Sequence, residues 1–306
     1  MNTDWLRGCA TALATPFDNN GNVDIERFRD FVDWQIESGM RLLVPCGTTG
    51  ESATMSEAED ELVIKTVVEV AKGRAKVIAG IGSNSTATVI NNAKKYKDSG
   101  IDAALVVAPY YNKPTQNGML SHYSAIAGAA PDLPIVMYNV PGRTSSNIAA
   151  QTTVKLAREH ENIVCVKEAS GNLSQIMEVL RDRPEGFKVF SGDDAMTFAM
   201  IALGADGLVS VASNEVPAEM SRMVDLALDG NWDEARALHF KLLRLMEINF
   251  IESSPAPVKA VLSMMGKFEE NLRLPLVPVT DASREKLREA ILELGLLKEN
   301  SMGEGK

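Results

Sequence analysis

Ala103-Ala104-Leu105-Val106-Val107-Ala108 is six apolar residues without a break. A strand with one wet face alternates apolar and polar residues, whereas an unbroken apolar run suits a parallel strand buried on both faces. Runs of the same kind recur at Cys9–Thr15, Leu42–Cys46, Lys76–Ala79, Pro134–Tyr138, Ile163–Lys167, Lys188–Ser191 and Gly207–Val211. Amphipathic helical patterns lie between them. Ser56 and Glu59 have capping-box spacing, and Ser38-Gly39 and Ser99-Gly100 mark helix ends. Strand starts spaced about 20–35 residues apart predict a (β/α)8 TIM barrel over residues 1–230. A doubly wound open sheet is the rival α/β solution, but no GxGxxG follows a strand; Gly80-Ile81-Gly82-Ser83-Asn84-Ser85 breaks at its last position.

Past residue 230 the pattern is purely helical, which predicts a C-terminal helical extension over 231–306. Asn231–Ile251 and Pro255–Met265 carry apolar residues at helical spacing, and Thr280-Asp281 opens a last helix that ends at Gly295. Pro275–Pro278 reads as an extended connector, and polar Ser301–Lys306 as a frayed end.

The 306 residues carry 31 Lys+Arg against 41 Asp+Glu, a net charge of −10. That balance argues against nucleic acid or an anionic membrane as partner, since both select clustered positive charge. No apolar run reaches the roughly 18–20 residues of a membrane span, and Met1–Arg7 lacks signal-peptide character. Cys9, Cys46 and Cys165 are odd in number, widely spaced and set in apolar stretches, so buried free thiols in a reducing cytoplasm are expected. His122, His160 and His239 show no zinc-ligand spacing and fall in helical segments, so no metal site is expected.

In a barrel of this kind the active site is built at the C-terminal strand ends. Gly47-Thr48-Thr49-Gly50-Glu51-Ser52 follows the second strand and Pro109-Tyr110-Tyr111-Asn112-Lys113-Pro114 the fourth. Tyr138-Asn139-Val140-Pro141-Gly142-Arg143-Thr144 ends the fifth, Lys167-Glu168 the sixth and Ser191-Gly192-Asp193-Asp194 the seventh. Lys167 closes an apolar strand, where desolvation of an inward ammonium would free the amine as a nucleophile towards carbonyls. The plainer alternative is a lysine that snorkels to the rim or pairs with Glu168. Tyr138 lies one strand earlier on the same rim, within reach as a proton shuttle, with Thr48 or Thr49 and Tyr111 as a relay. The glycine-flanked Thr48-Thr49 turn offers unobstructed N–H groups to a carboxylate, and Arg143 offers a fork to a second. One amine and two carboxylate sites suggest a keto acid joined to an acidic aldehyde. Asp193-Asp194 would repel a phosphate, and helix capping suits them better than Mg²⁺.

These segments resemble the dihydrodipicolinate synthase branch of the N-acetylneuraminate lyase superfamily from about Gly8 to Leu297. The resemblance rests on GTTGES at Gly47–Ser52, PYYNKP at Pro109–Pro114, YNVPGRT at Tyr138–Thr144, KEASGN at Lys167–Asn172 and SGDD at Ser191–Asp194. Pro255–Lys259 and Leu272–Pro275 extend it towards the C-terminus. It implies that Lys167 forms a Schiff base with pyruvate, and that Thr48, Tyr138 and Tyr111, the last from a neighbouring subunit, relay protons. It further implies that Thr49 holds the pyruvate carboxylate with its backbone and hydroxyl, beside the carbonyl environment of Gly192 and Val209, and that Arg143 binds the carboxylate of L-aspartate-4-semialdehyde. The implied product feeds lysine and diaminopimelate biosynthesis, the implied assembly is a homotetramer of two tight dimers, and no metal or organic cofactor is implied. Arg143 separates this branch from sialic-acid lyases and 2-keto-3-deoxy sugar-acid aldolases. The runner-up activity is a 4-hydroxy-2-oxoglutarate-type aldolase, and a non-catalytic keto-acid-binding barrel is the non-enzyme alternative. In lysine-inhibited members an effector sits near positions equivalent to Ser52, Ala53, Asn84 and Tyr110, commonly with histidines at the places of Glu57 and Asp60 and a glutamate at that of Thr88. Threonine at 88 removes a partner for lysine's amino group, so weak or absent feedback inhibition is expected.

Overall fold

The structure is a computed structural model that describes residues 1–297. The first half of the barrel runs β1 (Gly8–Ala12), α1 (Ile25–Glu37), β2 (Leu42–Val44), α2 (Glu57–Ala71), β3 (Lys76–Gly80), α3 (Thr86–Tyr96), β4 (Ala103–Val107) and α4 (Gln116–Ala129). The second half runs β5 (Ile135–Asn139), α5 (Pro141–Thr144), α6 (Ala150–Glu159), β6 (Ile163–Glu168), α7 (Leu173–Asp182), β7 (Lys188–Ser191), α8 (Thr197–Ala202), β8 (Gly207–Ser210) and α9 (Pro217–Leu228). Helices α10 (Trp232–Ile248), α11 (Ala256–Met264) and α12 (Asp281–Glu293) follow. The eight strands pair in sequence order, all parallel, and β8 closes on β1 with Ala10 opposite Val209.

Strand alternation splits the core in two. Val136, Tyr138, Cys165, Phe190 and Val209 belong to the cluster inside the barrel, while Met137, Val166, Val189 and Leu208 pack outward against the helices. Gly207 permits this filling, because a Cβ there would lie 2.3 Å from the Gly8 carbonyl and 2.7 Å from the Phe190 ring.

Strands β1, β2, β4 and β8 end before their apolar runs do, and at β1, β2 and β8 the cause is visible. Beyond Ala12, the Ala14 N–H goes to the Asn214 side chain and the Thr15 carbonyl accepts from Lys259. Pro45 has no N–H to donate and Cys46 is left-handed at φ 56°, which stops β2. The Val211 N–H is taken by the Asp194 carboxylate, which stops β8. The Ser56–Glu59 capping box forms, and Gly39 adopts φ 98° just past α1. Helix α3 stops at Tyr96, three residues short of Ser99-Gly100, and α10 is shorter at both ends than Asn231–Ile251. His122 and His239 are helical, but His160 is the extended residue that caps α6. The Ser301–Lys306 segment lies outside the described residues.

The helices after the barrel are fastened to it by a buried ion pair. Lys259 of α11 and Glu51 of the turn after β2 meet at 2.7 Å with both side chains 0% exposed. The Lys259 Nζ also donates to the Thr15 carbonyl at 2.9 Å, and the Arg273 N–H donates to Glu51 at 3.2 Å. Burial presses the Lys259 ammonium below the usual lysine range, against the pull of Glu51. Arg273 in turn donates to Glu59 and to the Gly21 and Thr54 carbonyls, so α11 and the connector after it grip the turn that follows β2.

Candidate active site

Strand register places the two central residues. Tyr138 of β5 is the Cα partner of Lys167 of β6, and in a parallel pair both side chains then face the same way, here into the barrel mouth. The Lys167 Nζ sits 4.1 Å from the centroid of the Tyr138 ring, and the two residues are 7% exposed each. Glu168 points to the opposite face, between strand and helix. Its carboxylate accepts from Asn139 Nδ2 at 3.1 and 3.2 Å, from Gln175 Nε2 at 3.2 Å and from the Ser170 N–H at 2.8 Å. Lys167 therefore has no ion pair with its neighbour, and the Asn139–Glu168 contact locks the two strand ends in the register that juxtaposes Tyr138 and Lys167.

A cavity of about 390 Å³ opens at this end of the barrel, lined by Lys167, Tyr138, Thr48, Thr49, Gly192 and Arg143 among others. An adjoining cavity of about 420 Å³ shares Thr48, Tyr138 and Arg143 and runs along Ser52, Ala53 and Tyr110. The Thr48-Thr49 turn is bracketed by left-handed Cys46 and Glu51, at φ 56° and 57°. It passes so close over β3 that a Cβ on Gly80 would lie 2.1 Å from the Cys46 carbonyl oxygen. Within the turn, the Glu51 N–H donates to the Thr48 carbonyl and the Ser52 N–H to that of Gly47. The Thr48 and Thr49 N–H groups have no protein acceptor among the described residues, which suits an anion. Thr48 is exposed and Thr49 buried.

Gly192 faces Lys167 directly. A Cβ there would lie 2.9 Å from the lysine Cε and 2.7 Å from the Ala169 Cβ. The two aspartates that follow do structural work. Asp193 Oδ1 accepts from the Met196 N–H just ahead of α8, and Asp194 Oδ2 accepts from the Val211 and Ala212 N–H groups at 3.0 Å each. Burial pushes the Asp194 carboxyl above its usual range. Arg143 lies in α5, the four-residue turn directly after β5, and its guanidinium reaches the Ser254 carbonyl at 3.5 Å.

The other two residues of the expected set, Val209 and Tyr111, are not among the residues that line this cavity. The Val209 side chain is buried among the barrel-interior residues, and Val211, two residues on, lines the cavity. Tyr111 projects into solvent at 88% exposure on a loop where it and Lys113 are both left-handed, at φ 72° and 45°. That backbone is unusual for a bulky residue, and Tyr111 does not line this chain's own cavity; the role expected of it is in a neighbouring subunit. The sequence reading also missed Glu247, Phe250 and Ser254, which the C-terminal part contributes to the cavity wall. Ser254 falls between two helical patterns, which periodicity does not register, and Glu247 and Phe250 sit inside Asn231–Ile251 with nothing local to mark them out. Lys259 does carry a signal, a lone charge within Pro255–Leu262.

The family model described as Dihydrodipicolinate synthetase family matches residues 5–294. A 4-hydroxy-tetrahydrodipicolinate synthase of Koribacter versatilis is 54% identical over 294 residues, covering 96% of this chain and 97% of that protein. The crystal structure of dihydrodipicolinate synthase from Aquifex aeolicus is 42% identical with a TM-score of 0.93, covering 96% of this chain and 100% of the other. The structure of the enzyme from Cyanidioschyzon merolae, which has lysine bound, is 42% identical with a TM-score of 0.93 over 96% of this chain and 99% of the other.

Proposed function

The chain belongs to the dihydrodipicolinate synthetase family, and on that premise we propose how its residues carry out the reaction. Its activity is that of a 4-hydroxy-tetrahydrodipicolinate synthase, a lyase of the pyruvate-dependent class I aldolase type serving lysine and diaminopimelate biosynthesis. In our reading Lys167 Nζ attacks the carbonyl carbon of pyruvate, and loss of one water leaves the imine. Its carboxylate is received by the Thr49 hydroxyl and the open N–H groups of the Thr48-Thr49 turn, with Gly192 leaving room beside the lysine stem. Removal of a methyl proton gives the enamine, whose carbon attacks the aldehyde of L-aspartate-4-semialdehyde while Arg143 holds that substrate's carboxylate. The substrate's amine then adds to the imine carbon and displaces Lys167, so the ring closes as the free lysine returns. Tyr138 moves the protons at Lys167, relayed by Thr48 and by Tyr111 of a second copy.

The observation that carries this reading is the register pairing of Tyr138 with Lys167 and the 4.1 Å between amine and ring, inside a cavity that also contains Arg143. The outward Tyr111 supports an assembly in which a second copy completes the relay, and we assign a homotetramer of two tight dimers. Buried, unpaired Cys9, Cys46 and Cys165 support the cytoplasm, and among the described residues no helix is long and apolar enough to cross a membrane. We divide the chain at residue 230 into a barrel that carries the chemistry and a helical part that walls its mouth.

The test is pyruvate-dependent turnover with L-aspartate-4-semialdehyde for the native enzyme and Arg143→Ala. Robust native turnover that collapses in the variant is expected. Native protein that forms a borohydride-trappable pyruvate adduct but ignores this aldehyde would discard the substrate and turn attention to glyoxylate, as for a 4-hydroxy-2-oxoglutarate aldolase.

A further inference from the structure

We propose that Glu247 is a specificity-determining residue that receives the ammonium group of the second substrate. The inference rests on the synthase reading above and concerns a side chain outside the five strand-end segments. Four charged residues line the cavity: Lys167, Arg143, Asp193 and Glu247. The lysine is committed to the keto acid and the arginine to the aldehyde's carboxylate. An aldehyde built on an L-α-amino acid carries its ammonium on the carbon next to that carboxylate, so whatever accepts it must stand close to Arg143.

Glu247 meets that condition through the segment it belongs to. It lies in the last turn of α10, and the chain continues through Phe250 and Ser254, which line the same cavity. The Ser254 carbonyl is the group the Arg143 guanidinium reaches, so arginine and glutamate flank one short stretch of wall. The other lining carboxylate is engaged, since Asp193 Oδ1 holds the Met196 N–H. The Glu247 carboxylate has no hydrogen bond or ion pair among the described residues, while its own carbonyl is fixed by the Phe250 N–H at 3.0 Å. Helix α10 has no basic residue in its last turn, so the carboxylate and the negative end of a 17-residue helix act together. A carboxylate with no ion-pair partner among the described residues, in the same cavity as an arginine, matches a zwitterionic amino-acid head. It also disfavours aldehydes that carry only carboxylates.

Glu247→Gln keeps size and removes charge; Glu247→Asp restores charge on a shorter stem. Steady-state kinetics are measured with pyruvate and L-aspartate-4-semialdehyde, with inhibition by succinic semialdehyde, which lacks the amino group, in parallel. In Glu247→Gln the KM for the amino aldehyde rises about 10-fold, the low end for a hydrogen bond to a charged group. The pyruvate KM and kcat stay within twofold, the succinic semialdehyde inhibition constant does not rise, and Glu247→Asp recovers part of the loss. An unchanged KM for the amino aldehyde, or an equal loss with succinic semialdehyde, overturns the assignment of Glu247 while the synthase reading stands. Native enzyme that does not turn over the amino aldehyde overturns both.

Discussion

Lys259→Met tests whether the C-terminal helices and the turn after β2 are joined as the structure has them. The substitution removes the ammonium that lies 2.7 Å from Glu51 and 2.9 Å from the Thr15 carbonyl. Glu51 is left 0% exposed with one remaining donor, the Arg273 N–H at 3.2 Å. Leaving one partner of a buried pair uncompensated costs about 3–5 kcal/mol. At about 2–4 °C per kcal/mol for a large domain, the melting temperature falls by roughly 10 °C. The double variant Glu51→Gln/Lys259→Met is a different case. Removing both charges leaves no uncompensated buried ion, so the double variant returns about 1–3 kcal/mol relative to the sum of the single losses. Thermal melting and urea unfolding of the four proteins in the cycle measure this. A single variant within about 1 kcal/mol of native, or losses that add to within about 0.5 kcal/mol, would refute the reasoning.

Gly192→Ala places a methyl 2.9 Å from the Lys167 Cε and against Ala169, so pyruvate adduct formation drops at least 10-fold while circular dichroism is unchanged; adduct formation at the native level contradicts this contact. Burial holds the His122 imidazole down to about 4, with Nε2 unpartnered. Its folded value lies below the unfolded value near 6.5, so the unfolded state binds more protons between the two, and this contribution to stability is present above pH 6.5 and lost as pH falls towards 4. Melting curves of His122→Gln over that range should be flatter than native, and parallel curves would argue against it. Millimolar L-lysine leaves turnover nearly unchanged in an enzyme with Glu57, Asp60 and Thr88, and strong inhibition in a titration would reverse that expectation.

The barrel was legible because its strands are buried on both faces, and Lys188–Ser191 matches its predicted bounds at both ends. At β1 and β8 the errors fall where a distant group takes over the strand's hydrogen bonds, as Asn214 and Lys259 do beyond β1 and Asp194 does at β8, whereas β2 is stopped by its own Pro45. Such partners are some 17 to more than 200 positions away, and no local pattern announces them. The rim motifs brought Thr48, Thr49, Tyr138, Arg143, Lys167 and Gly192 into one cavity, because a closed parallel barrel gathers all strand ends at one mouth. The Val209 side chain lies among the barrel-interior residues, and Val211, two residues further along, lines the cavity. Glu247 was out of reach for a different reason: it comes from a helix outside the βα repeat, and only the packing of that helix over the mouth gives it a role.

The most direct measurement traps the pyruvate adduct with borohydride and maps it by mass spectrometry in the native enzyme and in Lys167→Ala. The account requires one reduced pyruvate on the peptide that contains Lys167, no adduct in the variant, and loss of turnover with the fold intact. An adduct on another lysine, or turnover that survives Lys167→Ala, would contradict it.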